Sequence, residues 1–212
     1  MFIFGIITLF TIAFFPAYLG YQEQYAWVGY VFTIIFALSS YIPFITVYRW
    51  RGVYALCLLI LFGYLIESVG IMTCFPYGCF SYSSQLGMKL FGIVPVMLAF
   101  TRPPLVLWVW YYIHERVRSR WQRRCVWWLA LVFVDLILDP LTVWMGLWNY
   151  PWGGEWFGVP WTNFAWWMLS GTIAMIILDS LLREKYTYSN YSYGLWCTMT
   201  FFIGYGVWKR IL

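Results

Sequence analysis

The chain has 212 residues, of which 63% are hydrophobic, 25% aromatic and 10% charged, with a formal net charge of +5. An ordinary soluble domain carries about 25% charged residues, so the composition excludes one and indicates an integral membrane protein. The positive charge concentrates in "HERVRSRWQRR" at 114–124; short basic loops between spans follow from the positive-inside rule, and no nucleic-acid partner is expected.

A membrane-crossing helix needs about 20 mostly apolar residues. Seven stretches qualify in chain order: 2–20, 27–47, 53–72, 93–113, 125–147, 161–182 and 194–208. Each is expected to be helical, because lipid offers a backbone amide no hydrogen-bond partner. The expected fold class is therefore all-α, a polytopic transmembrane bundle forming one membrane domain over 1–212. The first stretch has no basic segment before it and no small-residue cleavage site after it, so it reads as a span and not as a secretion signal.

Loops carrying Arg49 and Arg51, then the arginines of 116–124, then Arg183 and Lys185, alternate with loops carrying Glu23, Lys89 and Glu155. The amino terminus is then inside. Setting Arg102 aside, nine Lys or Arg fall in the inner loops and termini and three in the outer ones. Lys209 and Arg210, at the outer end, run against the rule.

The two longer outer loops are "TCFPYGCFSYSSQLGMKLFGIVP" and "GLWNYPWGGEWFGVP". Each ends in Phe-Gly followed shortly by Pro, which fits the first turn of a returning helix because its missing N–H has no partner to lose. Either two helical hairpins needed similar stops, or 53–113 and 125–182 are parallel repeats with a site between them. Cys74 and Cys79 share the first loop, where a disulfide is one option. Cys57, Cys125 and Cys197 lie in or beside spans, where small thiols pack as apolar groups. No Cys/His set has structural-zinc spacing, and neither a metal nor another cofactor is expected, although carboxylates alone can hold Mg²⁺.

Ionisable groups within spans are costly and are functional candidates by default. Glu67 falls sixteen residues after Arg51 and Asp139 fifteen after Arg124, which at about 1.5 Å per residue brings the two carboxyls to similar depth. Asp135 shares the Asp139 helix face. Arg102, nine residues into the fourth stretch, is expected about 13 Å below the outer boundary. The plain alternative is a structural ion pair such as Arg102 with Asp135. Asp179, near the inner end beside Arg183, reads as an interface group. Asn163, three residues after Pro160, bonds local backbone, holds a water or orients a carboxyl.

A carboxyl in an apolar pocket disfavours its charged form and can remain a proton donor at neutral pH. Protonating a trisubstituted alkene gives a tertiary cation, which Trp and Tyr faces stabilise. Water then yields an alcohol, and a neighbouring double bond closes a ring.

The stretches "ESVGIMTCFPYGCFSYSSQLGMKLFGIVPVMLAF" and "DLILDPLTVWMGLWNYPWGGEWFGVPWTNFAWW" resemble the carotenoid biosynthesis membrane protein family, which includes end-group hydratases. The matching positions include Glu67, Gly70, Pro76, Gly78, Tyr82, Gly92, Pro95, Asp135, Asp139, Trp148, Gly158, Asn163 and Trp167. Departures are Cys74 and Trp166, where the family usually has Gly, and "AFTRPP", where it has a "PLAW"-like string. The resemblance implies a cofactor-free hydratase (a hydro-lyase) of the cytoplasmic membrane of a prokaryote. Its expected partners are a lipophilic polyene substrate, the lipid bilayer and other carotenoid enzymes. Glu67, Asp139, Asp135 and Asn163 would be catalytic, with Tyr82, Arg102, Trp148 and Trp167 against the substrate. An end-group cyclase using the same protonation, a proton-coupled transporter and a purely structural role are the alternatives.

The charge pattern makes one direct prediction: a Cys placed at Ser119 should react with a membrane-impermeant thiol reagent only from the cytoplasmic side. Labelling from outside would invert the topology.

Overall fold

The computed structural model describes residues 26–182, so the expected spans at 2–20 and 194–208, with Cys197, lie outside the described residues. Five helices form: α1 (Ala26–Tyr48), α2 (Trp50–Thr73), α3 (Leu98–Arg116), α4 (Arg120–Trp144) and α5 (Trp161–Leu181). All but α3 are long and apolar enough to cross a membrane. Their outward faces repeat at helical spacing, as in Leu61, Leu65 and Val69 of α2 or Leu129 and Phe133 of α4, all exposed. In a soluble protein such stripes would be buried; here they suit contact with lipid tails.

Helix α3 is the one that differs from the expected span. It starts at Leu98, so residues 93–97 belong to the loop, and Arg102 is its fifth residue and not its ninth or tenth. Pro95 is accordingly not in a first turn but in a short strand, whereas Pro160 directly precedes α5. The physical reason for the polar composition of α3 is its central position. It packs on α1, α2, α4 and α5, and Leu107, Val109 and Tyr111 are wholly buried. A helix surrounded by protein need not present an apolar face to lipid.

Helices α4 and α5 make the most extensive pair. Gly171 lets them approach: the Leu131 side chain occupies the place of a Cβ there, and the Trp127 indole N–H donates to the Gly171 carbonyl at 2.9 Å. Small residues at such crossings are the usual route to close helix packing in lipid.

The two long loops, 74–97 and 145–160, contain strands that hydropathy did not predict. Strand β1 (Ser81–Tyr82) of the first loop pairs antiparallel with β4 (Trp148–Asn149) of the second, Tyr82 opposite Trp148. Strands β2 (Lys89–Leu90) and β3 (Val94–Pro95) form a hairpin within the first loop. Its tip carries the first Phe-Gly, with φ of 51° at Phe91 and 73° at Gly92. The second Phe-Gly has φ of 51° at Phe157 and 90° at Gly158, between Trp156 and Val159, which exchange two backbone hydrogen bonds of 3.0 Å. Positive φ at consecutive turn positions is what a tight hairpin requires. The extra Ile93 in "FGIVP" makes the first turn one residue longer. A disulfide joins Cys74 and Cys79 at the start of the first of these loops.

Gly154 lies against the second hairpin, where an added Cβ would collide with the backbone of Val159 and Pro160. Gly154→Ala should therefore lower the unfolding midpoint in detergent, by more than the roughly 1 kcal/mol of an ordinary turn glycine. Gly29→Ala, in α1 with open space around the new Cβ, should be neutral or stabilising.

Candidate active site

Two polar clusters are buried where α2–α5 meet the two long loops. The first is built on α2 and α3. Glu67, 1% exposed, forms an ion pair with the Arg102 guanidinium, and its other carboxylate oxygen accepts a 2.8 Å hydrogen bond from the Tyr82 hydroxyl. Arg102 also donates to the Tyr77 hydroxyl at 3.3 Å. Its guanidinium carbon lies 4.4 Å from the centre of the Trp167 ring and 5.3 Å from that of Tyr77, within range of cation–π attraction. The expected alternative pairing of Arg102 with Asp135 is replaced by the pairing with Glu67.

The second cluster is built on α4 and α5. Asp135 and Asp139, one helical turn apart on one face, are both buried. The Asn163 side-chain amide donates to a carboxylate oxygen of each, at 3.0 Å to Asp135. The Tyr150 hydroxyl donates to Asp139 at 3.4 Å. Of the three roles open to Asn163, the structure displays carboxyl orientation. Two carboxyls converging on one amide are held most cheaply when they share a single proton, which removes the like-charge repulsion.

Both clusters face one cavity. Glu67, Arg102, Tyr82, Asp139, Asn163 and Trp167 line it, together with Trp148 and Tyr150 from the loop after α4. The opening has room for about one water molecule. Tyr82 and Trp148 are brought together by the β1–β4 register, with ring centroids 5.9 Å apart. Phe80 packs against Tyr77, Tyr82 and Tyr150. Burial pushes the Tyr82 and Tyr150 hydroxyls well above the ordinary phenol value, reinforced by the Glu67 carboxylate for Tyr82 and by Asp139 for Tyr150. Burial also raises Tyr77, partly offset by Arg102. All three phenols therefore remain neutral donors at physiological pH.

All eight sequence-derived site residues adjoin this cavity, Asp135 through Asn163. Tyr77 and Tyr150 were missed; each neighbours a Pro in a loop, but among 18 Tyr that signal selects nothing. Asp179 is elsewhere, with His114 Nε2 at 3.6 Å as its partner at the opposite end of the bundle. Among the described residues, no group of three or more His, Cys, Asp or Glu is arranged to hold a metal ion.

Residues 27–209 match the family described as carotenoid biosynthesis protein. The chain belongs to that family. A relative, the bisanhydrobacterioruberin hydratase of Haloarcula japonica, is 40% identical over 133 residues, 61% of this chain and 45% of the relative. The chain thus spans under half the length of the curated relative it matches. No solved structure matches the chain. Membership of this carotenoid family, together with four helices of membrane-crossing length and apolarity, identifies a membrane protein.

Removing Arg102 would leave Glu67 as an uncompensated buried charge. Arg102→Met should cost about 3–5 kcal/mol, read as a lower unfolding midpoint in detergent. Adding Glu67→Gln to that variant should recover most of the loss.

Proposed function

We propose that this carotenoid-family protein is an end-group hydratase, adding water across a terminal C=C of an acyclic polyene. The observation that carries this is the facing of two differently built carboxyl groups across a water-sized, aromatic-walled cavity. The shared proton of the Asp135–Asp139 pair is the acid, and Glu67, kept ionised by Arg102, positions water through its remaining lone pairs. The proton passes from the aspartate pair to the alkene carbon, leaving a tertiary cation. Trp148 and Trp167 line the space in which that charge forms, where aromatic rings can stabilise a cation. Water attacks the cation and gives a proton to Glu67, from which it returns through the cavity to the aspartates. The net change is addition of one H₂O.

Pairs of carboxyls set to opposite tasks by their surroundings are a recurrent acid–base design. The name of the Haloarcula relative, a hydratase, supports the same reading. In this reading the reaction needs no nucleotide, flavin or metal. The seven-span topology, with the amino terminus inside and paired units at 53–113 and 125–182, belongs to the same proposal. The matched φ values of the two Phe-Gly turns and the β1–β4 pairing of the two loops support the paired units.

The test is incubation of purified protein with an acyclic C40 polyene in ¹⁸O-water with chelator present. A labelled tertiary alcohol is expected. A product of unchanged mass would favour cyclisation, and activity lost to chelator but restored by Mg²⁺ would indicate a carboxylate-bound metal. Asp135→Asn, Asp139→Asn and Glu67→Gln should each lose about 10²-fold, the scale of general acid–base catalysis. Asp179→Asn should change little; normal turnover in all three cavity variants would sink the mechanism.

A further inference from the structure

Pro140 lies inside α4, directly after Asp139. A proline has no N–H, so the carbonyl of Leu136, four residues earlier, loses its helical donor. Leu136 directly follows Asp135, and the freed carbonyl therefore belongs to the turn that separates the two aspartates. A carbonyl left unbonded away from water is costly, and another group normally takes over. Here that group is the Trp156 indole N–H, which reaches back from the loop after α4 and donates to the Leu136 carbonyl at 3.0 Å. The indole is itself held from two sides. Its backbone exchanges two hydrogen bonds with Val159 across the second Phe-Gly turn, and its ring packs 5.5 Å from that of Trp161 on α5. On the other side of the proline, the Thr142 hydroxyl bonds the carbonyls of Leu138 and Asp139 at 3.0 and 2.8 Å.

Resting on the reading of the Asp135–Asp139 pair as the acid, we propose that Trp156 is a positioning residue for that pair. Its indole N–H replaces the donor that Pro140 lacks and fixes the turn that sets one carboxyl against the other. A helix turn without its own hydrogen bond is free to open, and the two carboxyls must converge on the single Asn163 amide. The loop and α5 hold the indole, and α5 also carries Asn163, so the turn and the amide that reads it share one support. An indole N–H only donates and carries no charge. It therefore steadies the backbone without adding a charge beside the acid.

The test is Trp156→Phe, which keeps an aromatic ring and removes only the donor. Hydration of an acyclic C40 polyene should lose about 10-fold in kcat, a scale that a misplaced catalytic group reaches, with KM little changed. The infrared carbonyl stretch of the protonated aspartate pair at pH 7 should shift, a readout that needs no turnover. Adding Pro140→Ala gives residue 140 an N–H able to bond the Leu136 carbonyl, and this double variant should recover kcat and move the band back toward its wild-type position. Trp152→Phe, at a Trp of the same loop that is 86% exposed, should match wild type in both readouts. A Trp156→Phe protein with an unmoved band, or a loss that the double variant does not relieve, would overturn the assignment. A wild-type protein that shows the band but no hydration would count against the hydratase reading instead, and the band shift would still decide the role of Trp156.

Discussion

The buried pairing of Glu67 with Arg102 is the interaction on which the rest of this architecture depends. Neither charge is tolerable alone in the interior, because desolvating one ion costs several kcal/mol that only close, well-bonded company offsets. That requirement brings α2 and α3 together at one level. It also ties down the loop after α2, through Tyr82 on the carboxylate and Tyr77 on the guanidinium, and places the Trp167 ring of α5 against the cation. Helix α3 can carry Arg102 only because the other four helices surround it.

A second constraint follows from the first. With Tyr82 fixed on Glu67, strand β1 is fixed, and its partner β4 sets Trp148 and the chain leading to Tyr150. Tyr150 reaches Asp139, and Asn163 binds both aspartates from α5. The two polar clusters are thus connected through the loops and not by a direct bond between them. This separation permits different charge states in one cavity. Glu67 has a cation beside it, whereas Asp135 and Asp139 have each other and a neutral amide. Neutral phenols contribute donors without adding charge. In the proposed reaction, the roles of proton donor and water-positioning group would follow from these surroundings, since all three residues are carboxylic acids.

Much of this was legible in the sequence, and for definable reasons. Carboxyls in apolar runs are rare enough that Glu67, Asp135 and Asp139 stand out, and the four-residue spacing of the two aspartates correctly placed them on one face. Asn163, Arg102 and the loop aromatics also adjoin the same space. The partners were less legible. The sequence suggested Asp135 as a partner for Arg102, and the structure pairs it with Glu67, because which helix neighbours which is decided by tertiary packing. The start of α3 was misjudged because "FGIVP" is apolar throughout, and hydropathy does not distinguish a hairpin strand from a helix end. The Phe-Gly turns are likewise atypical, with Phe at positive φ where Asn is commoner. Tyr77 and Tyr150 were hidden by abundance in so aromatic a chain.

The central claim is that at neutral pH the cavity proton resides on the aspartate pair while Glu67 is ionised. Infrared spectroscopy of the purified protein at pH 7 tests this most directly, through the carbonyl stretch of a protonated carboxyl. The account predicts that this band disappears in an Asp135→Asn, Asp139→Asn double variant and persists in Glu67→Gln. Loss of the band in Glu67→Gln, with the double variant unchanged, would contradict it.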